Sequence, residues 1–217
     1  MIGTVNRVNV TAGRSLRGRG RDQETHAAAF PTELGWMAIA WRDDVLQGIV
    51  FGHKSRRLAE AAIARLLQLR NQFFCFVEEG QDNDGPYRVR ELVDALRQFA
   101  DGDAVDFSDV PLALEHLTPF ARRVVAACRR IYWGEVRTYG ELAAECGSPG
   151  AARAVGSVMA KNRFPLIVPC HRVLAAGGEL GGYSAPDGLR MKRRLLEMER
   201  GTARWLNEPS YERLARL

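Results

Sequence analysis

Formal charge divides this chain. Residues 26–117 carry a net −6 and residues 118–200 a net +7, within 217 residues that total +5. A reversal of that size along one chain points to two domains with different uses. The basic segment can face a polyanion, although a solvated basic surface accounts for its charge equally well. Apolar material suffices for both, at 46% hydrophobic against 26% charged residues. Nowhere do roughly 18 uncharged apolar residues run together, which excludes a helix spanning a membrane, and the N-terminus lacks the apolar stretch of a secretory signal. The four cysteines, at positions 75, 128, 146 and 170, have no C-x-x-C spacing and are too few for a disulfide scaffold. A reducing cytoplasm is the expected compartment.

Four segments follow from patterning. Residues 1–25, with Arg14, Arg17, Arg19 and Arg21 among glycines, read as a flexible basic tail. Residues 26–112 read as an N-terminal α/β domain. Trp36–Trp41 and Val45–Phe51 form a hairpin across Arg42-Asp43-Asp44. Ser55 opens a helix whose buried stripe is Leu58, Ala62, Leu66 and Leu69, with Ile63 beside it. Phe73–Val77 and Val105–Phe107 are further strands, and a helix runs from about Arg88 to Phe99. Residues 113–200 are mostly helical, and residues 201–217 form an extension.

In the basic segment Phe120, Val124, Cys128 and Ile131 share one helical stripe, so Cys128 reads as core, and Gly134 ends that helix. Thr138-Tyr139-Gly140-Glu141 has the form of a capping box opening a helix to about Cys146. Ser148 is expected to cap the next helix, with Pro149 at its first position and an end near Met159. Two short helices across a tight glycine turn make a helix-turn-helix candidate. The small residues of the second, Gly150 to Gly156, allow close approach to a neighbouring helix or to a nucleic acid groove.

Chemistry concentrates in Ile167-Val168-Pro169-Cys170-His171-Arg172-Val173. A strand-like run ends at proline and then presents a cysteine beside a histidine. The thiolate is the nucleophile, and a histidine or nearby cation lowers the thiol pKa; Arg172 adds positive field. On an extended chain adjacent side chains diverge, so the pair needs a bend or a bridging water. From these residues alone, a reactive Cys170 and an inert buried one remain equally open.

Pro169-Cys170-His171-Arg172-Val173, together with Thr138-Tyr139-Gly140-Glu141-Leu142-Ala143, Ala151–Gly156, Asn162-Arg163-Phe164-Pro165 and Gly181-Gly182-Tyr183-Ser184, resembles the O6-alkylguanine-DNA alkyltransferase family. The match is dense over about residues 118–200 and looser over 34–112. The resemblance implies an α/β N-terminal domain, ribonuclease H-like with an antiparallel sheet and helices, followed by a mostly helical, winged-helix-like helix-turn-helix domain. It implies transfer of an alkyl group from O6 of guanine in double-stranded DNA to Cys170 itself, once per molecule. The protein would act as a monomer, from the minor groove and without a cofactor. It would sit in the cytoplasm on the nucleoid, or in the nucleus of a eukaryote.

The same resemblance assigns roles. Cys170 would accept the alkyl group; His171 would act on it through a water, oriented by Glu199 at the end of a helix Leu189–Glu199. Asn162 would fix the turn between recognition helix and active-site strand. Arg153 would fill the space of the flipped nucleotide, and Tyr139 would crowd the phosphate and serve the guanine edge. Ser148 would contact DNA. Val168, Val173, Met159, Tyr183 and Ser184 would line the base pocket.

Departures from the family pattern are expected to matter. Its zinc cysteines and histidines are not reproduced, so no metal is expected. Ala121, Val124 and Val125 replace its usual glutamine and tryptophan, and Pro186-Asp187 lengthen the loop after Ser184. Two other classes compete: a damage-recognition module without transfer, against which Cys170 argues, and a Cys-His hydrolase, for which no separate oxyanion hole stands out.

Overall fold

The computed structural model describes residues 6–7, 25–68, 74–76 and 87–202. The chain divides between Ala113 and Leu114 into two compact units. Most of the basic tail and nearly all of the C-terminal extension lie outside the described residues, as does Leu69.

The first unit begins with β1 (Asn6–Arg7), which lies inside the stretch expected to be a tail. It pairs in parallel with β6 (Val105–Asp106). Between them come β2 (Thr25–Phe30), β3 (Trp36–Arg42), β4 (Val45–His53), α1 (Arg56–Leu66), β5 (Phe74–Phe76) and α2 (Tyr87–Ala100). The sheet order is β4-β3-β2-β5. The β2–β3 and β3–β4 pairs are antiparallel, as expected, and β5 adds a parallel edge to β2. The hairpin turn is Asp43-Asp44, with Asp43 at φ 52°, the left-handed region that aspartate tolerates in turns.

β3 is buried on both faces because a different layer covers each. Ala38 and Ala40 of β3, with Ala27 of β2, form a flat floor against Ala59 and Ile63 of α1. On the opposite face Ile39 and Trp41 line an apolar space with Leu46, Val89, Leu92 and Val110. The small floor determines how α1 rolls. Ser55 caps the helix as its type requires, accepting from the Leu58 N–H. The buried residues, however, are Ala59 and Ile63, while Leu58 is 51% exposed. Ile63 and Leu66 of the expected apolar side pack against this core, while Leu58 does not, because the alanine floor takes the close approach of Ala59 instead.

The second unit carries α3 (Pro119–Arg129), β7 (Arg137–Thr138), α4 (Tyr139–Glu145), α5 (Ala152–Ala160), β8 (Val173–Leu174) and α6 (Leu189–Thr202). Thr118 caps α3 with Pro119 at its first position, where a missing N–H costs nothing. Val124, Cys128 and Ile131 are buried as their spacing requires. α3 stops at Arg129, five residues before Gly134, which instead makes a turn at φ 77°. The Thr138–Glu141 capping box forms in full.

Two local expectations fail for the same reason. Ser148 does not cap α5; its carbonyl accepts from the Ala151 N–H in a Pro149-Gly150 turn, with Gly150 at φ +91°. That conformation is unavailable inside a right-handed helix, so α5 starts at Ala152 with no side-chain cap. Leu166–Val168 is not a strand either. Leu166 sits at φ 72° and the Val168 N–H turns back to the Phe164 carbonyl. Prolines at 165 and 169 remove two ladder donors there, so extended pairing gives way to turns.

The rotation of α1 predicts a contrast. Ile63→Ala should cost about 2–5 kcal/mol of stability, whereas Leu58→Ala should stay within about 0.5 kcal/mol. Denaturant unfolding of both variants checks this, and comparable losses would contradict the burial of Ile63 in place of Leu58.

Candidate functional site: a buried thiol beside a His–Glu–Arg cluster

The two-residue ladder between β7 and β8 organises the site. It is parallel, pairing Arg137 with Val173 and Thr138 with Leu174. Tyr139 therefore leaves β7 directly into α4, while Cys170–Arg172 enters β8 directly from the other side. Those three residues form a single 3-10 turn begun by Pro169. This bend replaces the extended conformation in which adjacent side chains would point apart.

Cys170 is 5% exposed. Asn162, just beyond α5, holds the backbone around it. Its Nδ2 donates to the Val168 carbonyl at 2.8 Å and to the Cys170 Sγ at 3.3 Å, and its Oδ1 accepts from the Phe164 N–H at 2.9 Å. Burial pushes the Cys170 thiol up; the Asn162 amide, Lys192 and the backbone N–H groups of Cys170 and His171 pull the other way.

His171 is fully buried, and its Nε2 lies 2.7 Å from Glu199 Oε1. Burial lowers the imidazole below its ordinary value, outweighing the carboxylate that raises it. The contact is accordingly a hydrogen bond from a neutral ring, and it fixes the tautomer so that Nδ1 bears the lone pair. Glu199 meets His171 as the family resemblance implies; it lies within α6, which runs three residues past it, and is 1% exposed. Arg172 grips it with Nε and Nη2 at 2.9–3.1 Å and gives Nη1 to the Ile131 carbonyl at 2.6 Å. The Gly134 N–H donates to it at 3.2 Å. Burial alone would raise this carboxyl; Arg172 and His171 overcome that and hold it at about 2.

Around the thiol stand Tyr139 on α4 and Tyr183 on the loop before α6, both raised by burial and by Cys170. The Tyr183 hydroxyl is buried with no hydrogen-bond partner among the described residues. The Tyr139 ring packs on Gly181, at φ +63°, where an added Cβ would lie 3.2 Å from Cε2; glycine is thus required for that approach. Val168, Val173 and Met159 are buried. Ser184 is exposed on its loop, and Ser148 lies half-buried in the turn before α5. Arg153 is exposed on α5, and its backbone carbonyl accepts from Ser157 Oγ at 3.1 Å.

Two participants escaped sequence reading: Arg172 as the carboxylate's clamp, and Lys192 as a fully buried cation. The signal was present. Met191, Lys192, Leu195, Leu196 and Glu199 occupy one helical stripe, so Lys192 and Glu199 are charges placed among core positions. Among the described residues no group of three or more potential ligands is arranged to hold a metal ion.

The cluster predicts an acid limb to stability. Glu199 is depressed from 4.5 to about 2, so its contribution is complete above about pH 4.5 and is lost as pH falls through about 2. Glu199→Gln should cost about 3–5 kcal/mol near neutral pH, because it leaves Arg172 buried without its anion. The gap from the parent should narrow as pH drops. Thermal unfolding of both proteins across that range measures it, and a pH-independent gap would count against the ion pair.

Known proteins match this arrangement. The family model described as 6-O-methylguanine DNA methyltransferase, DNA binding domain, matches residues 119–201. Methylated-DNA–protein-cysteine methyltransferase of Methanothermobacter thermautotrophicus is 40% identical over 54% of this chain and 65% of its own length. Its namesake in Mycobacterium tuberculosis is 47% identical over 51% of this chain and 65% of its own length. The chain thus aligns with slightly under two thirds of those relatives. It aligns with 68% of the Mycolicibacterium paratuberculosis relative at 42% identity. Among solved structures, that of Mycobacterium tuberculosis OGT in complex with DNA superposes with a TM-score of 0.63 at 32% identity, over 88% of this chain and 99% of that one. With that breadth of match added to the thiol cluster, the chain belongs to the O6-methylguanine-DNA methyltransferase family.

Proposed function

We propose that this protein repairs DNA by moving an alkyl group from O6 of guanine onto its own Cys170. The observation that carries the reading is the buried thiol held by Asn162 and set beside the His171–Glu199 pair. An inert core cysteine needs neither an amide donor on its sulfur nor a histidine of fixed tautomer beside it.

The step is a displacement. The Cys170 sulfur donates a lone pair to the alkyl carbon, the S–C bond forms, and the C–O6 bond breaks with its electrons remaining on the guanine. The thiol proton leaves by way of a water toward His171 Nδ1, and the guanine regains a proton at its edge, for which Tyr139 is the donor. Nothing else is consumed, and the thioether is stable, so each molecule acts once. The alkylated base is buried in the duplex stack and has to be extruded to reach a thiol this enclosed. The unpartnered Tyr183 hydroxyl supports a pocket built for a polar occupant, lined also by Val168, Val173, Met159 and the Ser184 backbone.

α4 and α5 form the helix pair that would meet DNA, with β7 and β8 as the stub of a wing, in a winged-helix arrangement. The mixed sheet of the first unit is read as ribonuclease H-like. Arg153, exposed on α5, would enter the minor groove and take the place of the flipped nucleotide; Ser148 would touch the backbone nearby. The protein is taken to act as a monomer in the compartment that holds the genome.

Incubation with a duplex containing O6-methylguanine, followed by intact and peptide mass measurement, tests the reading. One methyl per protein on Cys170 is expected, none in Cys170→Ala, and a rate lower by about 10²–10⁴-fold in His171→Ala. A methyl found on another cysteine would refute the assignment. Arg153 has its own test. Arg153→Ala should slow repair in duplex DNA far more than reaction with free O6-benzylguanine, which needs no flipping. Equal losses in single-turnover rate on the two substrates would remove Arg153 from the flipping step.

A further inference from the structure

A buried thiol that must ionise needs a positive neighbour, and the obvious one is already engaged. Arg172 follows the Cys170-His171 pair, but its guanidinium is divided between the Glu199 carboxylate and the Ile131 carbonyl. His171 is kept neutral by burial. The remaining groups that interact with Cys170 are the Asn162 amide, Cys128 on α3, Tyr139 on α4, Tyr183 on the loop and Lys192 on α6.

Lys192 is the exception among them. It is fully buried, and among the described residues no carboxylate pairs with it. Its Nζ donates to the carbonyl of Val173 at 2.6 Å and to that of Leu180, and lies 6.0 Å from the centroid of the Tyr139 ring. Neutral carbonyls and a ring face satisfy an ammonium without cancelling its charge. Val173 is the residue into which the Cys170 turn runs, its N–H bonded to the Cys170 carbonyl. Leu180 begins the segment that carries Gly181, Tyr183 and Ser184. An ammonium kept from water without an anion is costly, and this one is held to the residue into which the Cys170 turn runs.

We propose that Lys192 is a positioning residue for the transfer: its ammonium stabilises the Cys170 thiolate, and its two hydrogen bonds fasten the base-pocket loop to the strand that follows the thiol. This rests on Cys170 being the acceptor. The electrostatics agree in both directions. Burial lowers Lys192 from 10.5 to about 8 while Cys170 and Cys128 oppose the fall, and Lys192 in turn lowers the Cys170 thiol.

The test follows carbamidomethylation of Cys170 by iodoacetamide against pH, read from the Cys170 peptide, in the parent, Lys192→Met and Lys192→Arg. This readout involves neither DNA nor a purine. In Lys192→Met the midpoint should rise by about one unit or more. The rate below the midpoint should then fall roughly tenfold, with the high-pH plateau unchanged. Lys192→Arg should lie nearer the parent. A folded Lys192→Met with an unshifted midpoint would overturn the proposal.

A reciprocal measurement does not depend on that variant folding. The titration of Lys192 Nζ, followed by NMR on 15N-lysine protein, should move to lower pH in Cys170→Ser than in the parent, because the coupling is shared between the two groups. Identical titrations would refute the pairing. Methyl transfer from an O6-methylguanine duplex to the parent is run alongside. Its failure would sink the repair reading, whereas transfer accompanied by an unshifted thiol sinks only the role of Lys192.

Discussion

Glu199 is the anion on which the second unit closes. Three segments distant in sequence reach it: the loop after α3 through the Gly134 N–H, the 3-10 turn through His171 and Arg172, and α6, which carries it. A lone carboxylate could not be buried to this degree. Here a bidentate guanidinium, an imidazole N–H and a backbone N–H compensate the lost water, and the charge persists down to about pH 2. The dependence is mutual. Without Glu199, Arg172 is a buried cation and His171 loses the contact that fixes its tautomer. Pairing that resembles stabilisation thus also sets the orientation of a reactive group.

α6 carries this logic one step further. Lys192 and Glu199 are seven residues apart on one face, about two turns or 10.5 Å along the axis. The anion serves the imidazole side of the turn and the cation the thiol side. Because both grow from one rigid helix, their separation is fixed by backbone geometry and not by two flexible loops. The parallel pairing of β7 with β8 does the same for Tyr139, whose ring is set by Gly181 on one side and by the capped start of α4.

Local signals were legible where local physics decides. The Ser55 and Thr138 caps, the burial of Val124, Cys128 and Ile131 along α3 and the hairpin at Asp43 all follow from short-range rules and appear in the structure. What escaped depends on partners remote in sequence. β2, Thr-His-Ala-Ala-Ala-Phe, has poor strand propensity and is a strand only because β3 and β5 flank it and α1 needs a floor of alanines. The phase of α1 was ambiguous until that floor was known. Pro149-Gly150 and Pro165…Pro169 were read for the residues around them instead of for their own constraints. In the site, the Cys-His motif marked the thiol, but only tertiary structure shows that Arg172 belongs to Glu199, leaving Lys192 as the cation at Cys170. A glutamate and a lysine inside an apolar stripe were the available clue.

Every group of the thiol cluster lies between Cys128 and Glu199, inside the second unit. The family model accordingly covers residues 119–201, while the likeness to a solved structure extends over 88% of the chain. The two halves therefore place different physical demands on their sequences. The second needs particular residues, since its buried Arg172, Glu199 and Lys192 each rest on named hydrogen bonds. The first has only to preserve alternating apolar layers around β3, a requirement that many sequences meet. Its lineage should accordingly be easier to trace by shape than by amino-acid identity.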